Sequence, residues 1–216
     1  FKMIILLLWS FHMNLYKFFN KLTILIFFIT FLLVSSSHTE NNNKFNQLGI
    51  NEATNVLIEY ASMSCVHCAN FHNNELPKIK LNLIDNGKLR FIYKDFPLDR
   101  PAMFASMVAH CFSDDQYFEV LSALYRNQKK WVSASENSGN FYNAIFDILK
   151  IHGITLDKII ECVDDKSNVN KKKWDSILAS RLEGQNMGVN STPSFFLNGK
   201  KIEEPMNYEL LIKLIK

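Results

Sequence analysis

Residues 55–68 read NVLIEYASMSCVHC, and the order of their parts decides the fold. Asn55 to Ala61 is short, apolar and rich in β-favouring side chains, which marks a buried strand. Ser62-Met63-Ser64 supplies a turn. Cys65-Val66-His67-Cys68 then opens a segment with a helical pattern to about Leu83, and Pro77 is the place for a kink. A C-x-x-C at the first turn of a helix that follows a buried strand points to thiol chemistry. The unpaired N–H groups and partial positive charge of a helix N-terminus stabilise a thiolate on Cys65, the nucleophilic form. Cys68 lies one turn on, placed to attack a mixed disulfide on Cys65 and release the partner.

Two structural readings compete with this one. A closed zinc site needs two ligands beyond the C-x-x-C. No second C-x-x-C or H-x-x-x-H follows, and His67 and His72 do not give a standard spacing, so no metal is expected. A purely structural disulfide is disfavoured by the strand-then-helix placement. His67, between the two thiols, is a candidate to favour the Cys65 thiolate by charge or hydrogen bonding. Glu59 stands in an otherwise apolar strand. If that strand is central, the carboxyl is buried near the cysteine turn, has a raised pKa and can exchange protons with a thiol. Each pH unit of Cys65 acidification in the reduced form favours that form by about 1.4 kcal/mol, or roughly 30 mV in a two-electron couple.

Downstream, Asn86-Gly87 ends the helix and Leu89 to Asp95 alternates like a second strand. A long helical block follows. Residues 101–113 suit a buried helix, and residues 115–128 and 141–151 carry apolar stripes, the latter stopped by Gly153. Thr155 opens a short helix containing Cys162. Lys171-Lys172-Lys173 opens another that runs to Gly184, its lysines forming a solvated face. Residues 194–197 are a strand entering an Asn198-Gly199 hairpin, with residues 201–203 returning and residues 207–215 closing as a helix. The order strand, helix, strand, helical block, strand, strand, helix indicates an α/β fold with an all-α insertion.

Upstream, residues 22–34 read LTILIFFITFLLV, thirteen residues without charge, preceded by Lys17 and Lys21 and followed by three serines. These are the parts of a secretory signal peptide over residues 1–37. As a helix the run would span about 20 Å against roughly 30 Å of hydrocarbon, so a cleaved signal is expected over a membrane helix. An uncleaved signal would leave the protein membrane-anchored. A start at Met13 gives a signal of ordinary length, and residues 1–12 are then expected to be upstream sequence. Residues 38–48 read as a polar spacer.

Residues 1–37 hold three of the 24 basic side chains and no acid, leaving 21 basic and 21 acidic groups in the remainder. That balance gives no electrostatic case for nucleic-acid binding. Four cysteines in an exported chain are consistent with two bridges and allow three connectivities.

The segment VLIEYASMSCVHC, the later run GVNSTPSFFLNGK and the helical block between them resemble the DsbA-like branch of the thioredoxin superfamily over about residues 49–216. The resemblance implies a thioredoxin fold formed by residues 49–100 and 186–216 and interrupted by a helical insertion at residues 101–185. It implies that Cys65 is the exposed nucleophile, Cys68 the buried resolving cysteine, His67 the histidine of the oxidising members and Glu59 the buried acid. Thr192-Pro193 matches the cis-proline loop, which would open the Thr192 backbone for pairing with an extended substrate chain. Val66 departs from the proline of the best-known oxidising members, which leaves oxidising strength open. Some DsbA-like relatives carry a second disulfide in the helical domain, so a structural Cys111–Cys162 bridge is expected. Free buried cysteines are the alternative.

The implied activity is donation of disulfides to exported proteins with free thiols, without a cofactor, in the periplasm or beyond. A membrane quinone-linked partner would reoxidise the protein, and a monomer is expected. A disulfide isomerase or reductase, or a chaperone-like module with a structural cysteine pair, are the alternatives. No clear dimerisation domain precedes the first strand, which weighs against an isomerase.

Overall fold

A computed structural model describes residues 46–164 and 167–215. The expected leader and residues 38–45 of the expected spacer lie outside them. The spacer reading is corrected at its end: Gln47–Leu48 forms strand β1 and pairs with a strand more than 40 residues on, Gln47 opposite Ile92. A two-residue strand in polar sequence has no periodicity of its own and exists only through that long-range pairing.

Strand β2 is Asn55–Ala61. It leads into a helical run at residues 66–84, named α1, built of four abutting segments. Val66–Asn70 and Leu76–Ile79 are α-helical, and Phe71–Glu75 and Lys80–Ile84 are π-helical. The expected kink takes the form of a π turn. The Leu76 N–H bonds the Phe71 carbonyl, and Pro77, which has no N–H to give, follows at once. Strand β3, Leu89–Asp95, alternates buried and half-buried residues as its sequence does.

Helix α2 spans Arg100–Ala109, with the Asp99 side chain capping the Ala102 N–H at 2.8 Å. Helix α3 is Asp114–Arg126 and α4 is Gln128–Ser133. The expected single helix over 115–128 thus breaks at Asn127 (φ −108°, ψ 17°). Helix α5, Ser138–Leu149, ends through a 3₁₀ turn at Gly153, whose φ of 83° suits glycine. Helix α6 is Leu156–Val163 and α7 is Asn168–Asn186. Strands β4, Ser194–Leu197, and β5, Lys200–Ile202, form the hairpin, and α8, Tyr208–Leu214, closes the chain.

The sheet order is β1-β3-β2-β4-β5, with β2 and β3 parallel and the other pairs antiparallel. This is the expected α/β sheet, entered twice by the chain and interrupted by helices. Central β2 is covered on both faces. Leu57, Glu59 and Ala61 face α1 and the helical block, while Tyr60 packs with Phe96, Val189 and Phe196 beneath α7. Gly184 makes that second contact possible: a Cβ there would lie 2.8 Å from the Tyr60 ring. Cys111, just after α2, is bonded to Cys162 in α6 across 51 residues.

Candidate active site

Cys65 is the N-cap of α1, with extended backbone (φ −76°, ψ 121°), and its sulfur accepts the Cys68 N–H at 3.4 Å. The sulfur is half-buried, whereas Cys68 is fully buried, and both are present as thiols. The Cys65 thiol also donates to the Thr192 carbonyl at 3.1 Å, and the Thr192–Pro193 peptide is cis. Residues 127 positions apart therefore meet at one sulfur because β4 pairs beside β2, Glu59 opposite Phe195.

The two thiols are electrostatically unlike. Cys65 is lowered from about 9 to about 5. The Cys68 thiol donating to its sulfur is the largest cause; partial burial opposes, and Thr192 and the amides of Cys68 and His67 add to the lowering. A carbonyl can accept only from the protonated thiol. The lowering by Thr192 comes from its side chain, whose buried hydroxyl oxygen makes no hydrogen bond among the described residues and is free to turn its proton to the thiolate. Cys68 moves the opposite way, pushed far up by burial, by donation to Cys65 and by the Glu59 charge. One sulfur is thus held as the thiolate and its neighbour as the thiol.

His67, expected to favour the Cys65 thiolate, lies in the first turn of α1 between the two cysteines. The ring is exposed and makes no hydrogen bond among the described residues; His67 acts on the sulfur through its amide. Glu59 is fully buried, as its strand position required. Its Oε2 lies 2.8 Å from His72 Nε2, itself wholly buried. Burial raises the Glu59 carboxyl, His72 opposes that rise, and the charge of Cys65 adds to it.

His72 was set aside in the sequence because its spacing fits no zinc site. The usable signal was a different one: it follows Cys68 by four residues, one helical turn, on the same buried face. Gln128 gave no signal at all. Its amide nitrogen donates to the carbonyls of Met63 at 2.7 Å and Cys65 at 2.8 Å, so α4 holds the turn that carries the nucleophile. The Tyr125 hydroxyl donates to the Ser62 carbonyl at 3.3 Å. Among the described residues no cluster of three or more His, Cys, Asp or Glu is placed to hold a metal ion.

Cys111 and Cys162 lie away from this site. The Lys173 ammonium sits 3.3 Å from the Cys111 sulfur.

A half-buried thiolate capping a helix, a buried thiol one turn on and a cis-proline loop against the first of them define a thioredoxin-type thiol site. The chain belongs to the thioredoxin family, whose model matches residues 41–216. The fold is that of DsbA proteins. The crystal structure of Wolbachia pipientis alpha-DsbA1 superposes with a TM-score of 0.67 at 29% identity, covering 79% of this chain and 88% of that one. The oxidised BdbD of Bacillus subtilis shares the fold with a TM-score of 0.65 at 19% identity, over 80% of this chain and 91% of that one. In sequence, the chain is 27% identical over 169 residues to a putative protein-disulfide oxidoreductase of Rickettsia bellii. That match takes in 76% of this chain and 59% of the relative, so the chain spans little more than half of that relative's length.

Proposed function

We propose that this chain is a DsbA-type thiol–disulfide oxidoreductase that donates the Cys65–Cys68 disulfide to exported proteins with free thiols. The observation that carries the reading is the acidic Cys65, lowered to about 5 beside a Cys68 pushed up. A stabilised thiolate favours the reduced protein, and a protein that prefers to be reduced gives its disulfide away. The named relatives and DsbA structures support the same class.

In the oxidising direction a substrate thiolate attacks Cys65 Sγ. The Cys65–Cys68 bond breaks, its electron pair goes to Cys68 Sγ, and that buried sulfur takes up a proton. A second substrate thiolate then attacks the substrate sulfur of the mixed disulfide. The substrate disulfide forms and Cys65 leaves as the stabilised thiolate, a good leaving group. Thr192, next to the sulfur, is positioned to pair its backbone with an extended substrate. A membrane-bound partner reoxidises the pair, and the protein acts as a monomer without a cofactor. No described helix is long and apolar enough to cross a membrane.

The test is the equilibrium constant with glutathione together with the Cys65 titration. An oxidant holds Cys65 near pH 5 and oxidises a dithiol peptide. An ordinary thiol near about 8.5 with a reducing equilibrium would overturn the proposal.

A further inference from the structure

Glu59 and His72 meet in a setting that neither group would choose alone. The carboxyl comes from the central strand and the imidazole from the π-helical turn of α1, and both side chains are wholly buried. The His72 ring stacks on Tyr125, centroids 4.2 Å apart, and meets the edges of Phe71, Phe91 and Tyr93. An isolated carboxylate inside such a wall is expensive and would stay protonated. A carboxyl and an imidazole sharing one proton are net neutral whichever of them holds it. Glu59 Oε1 and His72 Nδ1 have no other partner among the described residues, so the 2.8 Å contact is what each has.

The pair also lies where a proton is needed. His72 follows Cys68 by one turn on the same face, and the charges of both sulfurs and of Glu59 act on one another. The remaining titratable groups facing the pair are Tyr93 of β3 and Tyr125 of α3, bonded to each other at 3.0 Å. Asp95 acts on these tyrosines from the far side, where it holds His110 at 2.8 Å.

We propose that His72 is a positioning residue for the Cys65–Cys68 pair, sharing one proton with Glu59 so that this couple takes up and returns the Cys68 proton during exchange. The inference rests on the proposed thiol–disulfide chemistry and names how its buried sulfur is served. When a thiolate attacks Cys65, the couple gives its proton to the departing Cys68 thiolate. In the reverse direction the Cys65 thiolate attacks glutathione disulfide, forming the Cys65–glutathione bond and releasing glutathione thiolate. The couple, having lost its shared proton to solvent, then accepts the Cys68 proton, and the Cys68 thiolate attacks Cys65 Sγ. The protein disulfide forms and a second glutathione thiolate leaves, with the couple again holding one proton. Without His72 the buried carboxyl holds its own proton more tightly and is a poor acceptor at neutral pH.

The experiment follows the decay of the Cys65–glutathione adduct by rapid quench and intact mass, from pH 5 to 9. His72→Phe is expected to slow this step at least about tenfold at pH 7, with the rate recovering as pH rises, since each unit of displaced titration is a factor of ten. His72→Gln, which keeps a donor for Glu59, is expected to be slowed less. His110→Gln alters a second carboxylate–histidine contact, with Asp95, and is expected to leave the profile in place. Circular dichroism melts establish that each variant is folded, and the Gln variant carries the test if the Phe variant is not. An unchanged pH profile in a folded His72 variant overturns the inference. If wild type resolves the adduct with a His72-dependent profile but does not oxidise a dithiol peptide, the donor function fails and the inference stands. If no adduct forms, both fail.

Discussion

The two cysteine pairs of this chain carry the same atoms in opposite surroundings. Cys65 and Cys68 are three residues apart, with one sulfur half-exposed at a helix N-terminus and donors aimed at it. Cys111 and Cys162 are 51 residues apart and tie the end of α2 to α6. The first pair closes a loop too short to restrain the unfolded chain much, but it unbalances two thiols. The second has the long loop that a stabilising cross-link needs. Reactivity and stability are thus divided between the pairs by placement rather than by sulfur chemistry.

The largest test of this division is Cys65→Ser. Exchange activity is expected to fall to background while the melting temperature of the reduced protein, taken below about pH 5 where the thiolate's contribution is lost, changes little, as read by a dithiol-peptide assay and a thermal melt. The double change Cys111→Ser with Cys162→Ser should do the reverse. It is expected to lose about 4 kcal/mol of stability in urea titration, the loop-closure value for some 50 residues, with exchange rates retained. Equal loss of activity would merge the two pairs into one function.

Gln128→Ala is next. It leaves the Met63 carbonyl without its donor, at about 1–3 kcal/mol for a buried group so stranded, while the Cys65 carbonyl keeps the Ala69 N–H, and it loosens only the first pair. Its signature is a slower exchange rate with the Cys111–Cys162 bridge intact by mass.

The pH dependence separates the pairs further, because only one of them titrates. Cys65 has a depressed value in the folded reduced protein, so its contribution is fully present above its ordinary value near 9 and is lost as pH falls through about 5. The melting temperature of reduced protein, relative to the form oxidised at Cys65–Cys68, should therefore climb between about pH 5 and 9. A flat difference would contradict the acidic thiol. Thr192→Val has the smallest expected effect: it removes the hydroxyl and should raise Cys65 by about one pH unit, read by absorbance of the thiolate.

The reactive pair was more legible in the sequence than its supports. Asn55–Ala61 and Leu89–Asp95 were readable because apolar content and alternation are local properties, and Cys65 because a helix start is local too. Glu59 stood out as the one charge in a buried strand. Gln128 was hidden: its partners, Met63 and Cys65, lie 65 and 63 residues upstream, and no pattern around Gln128 encodes that meeting. His72 was visible but was weighed only as a metal ligand, when its one-turn relation to Cys68 was the informative spacing. For Thr192 the family resemblance supplied what periodicity could not.

The contact between Cys65 and Thr192, across 127 residues, also orders events in time. The C-x-x-C is made first, one of the groups that acidify its sulfur follows 127 residues later, and Gln128 arrives between them. A chain emerging N-terminus first therefore presents two ordinary thiols over that interval and becomes fully reactive only when strand β4 docks. The chain's own cysteines are in that sense shielded from early exchange by sequence order: a truncation ending before Thr192 should show a Cys65 that titrates closer to a free thiol.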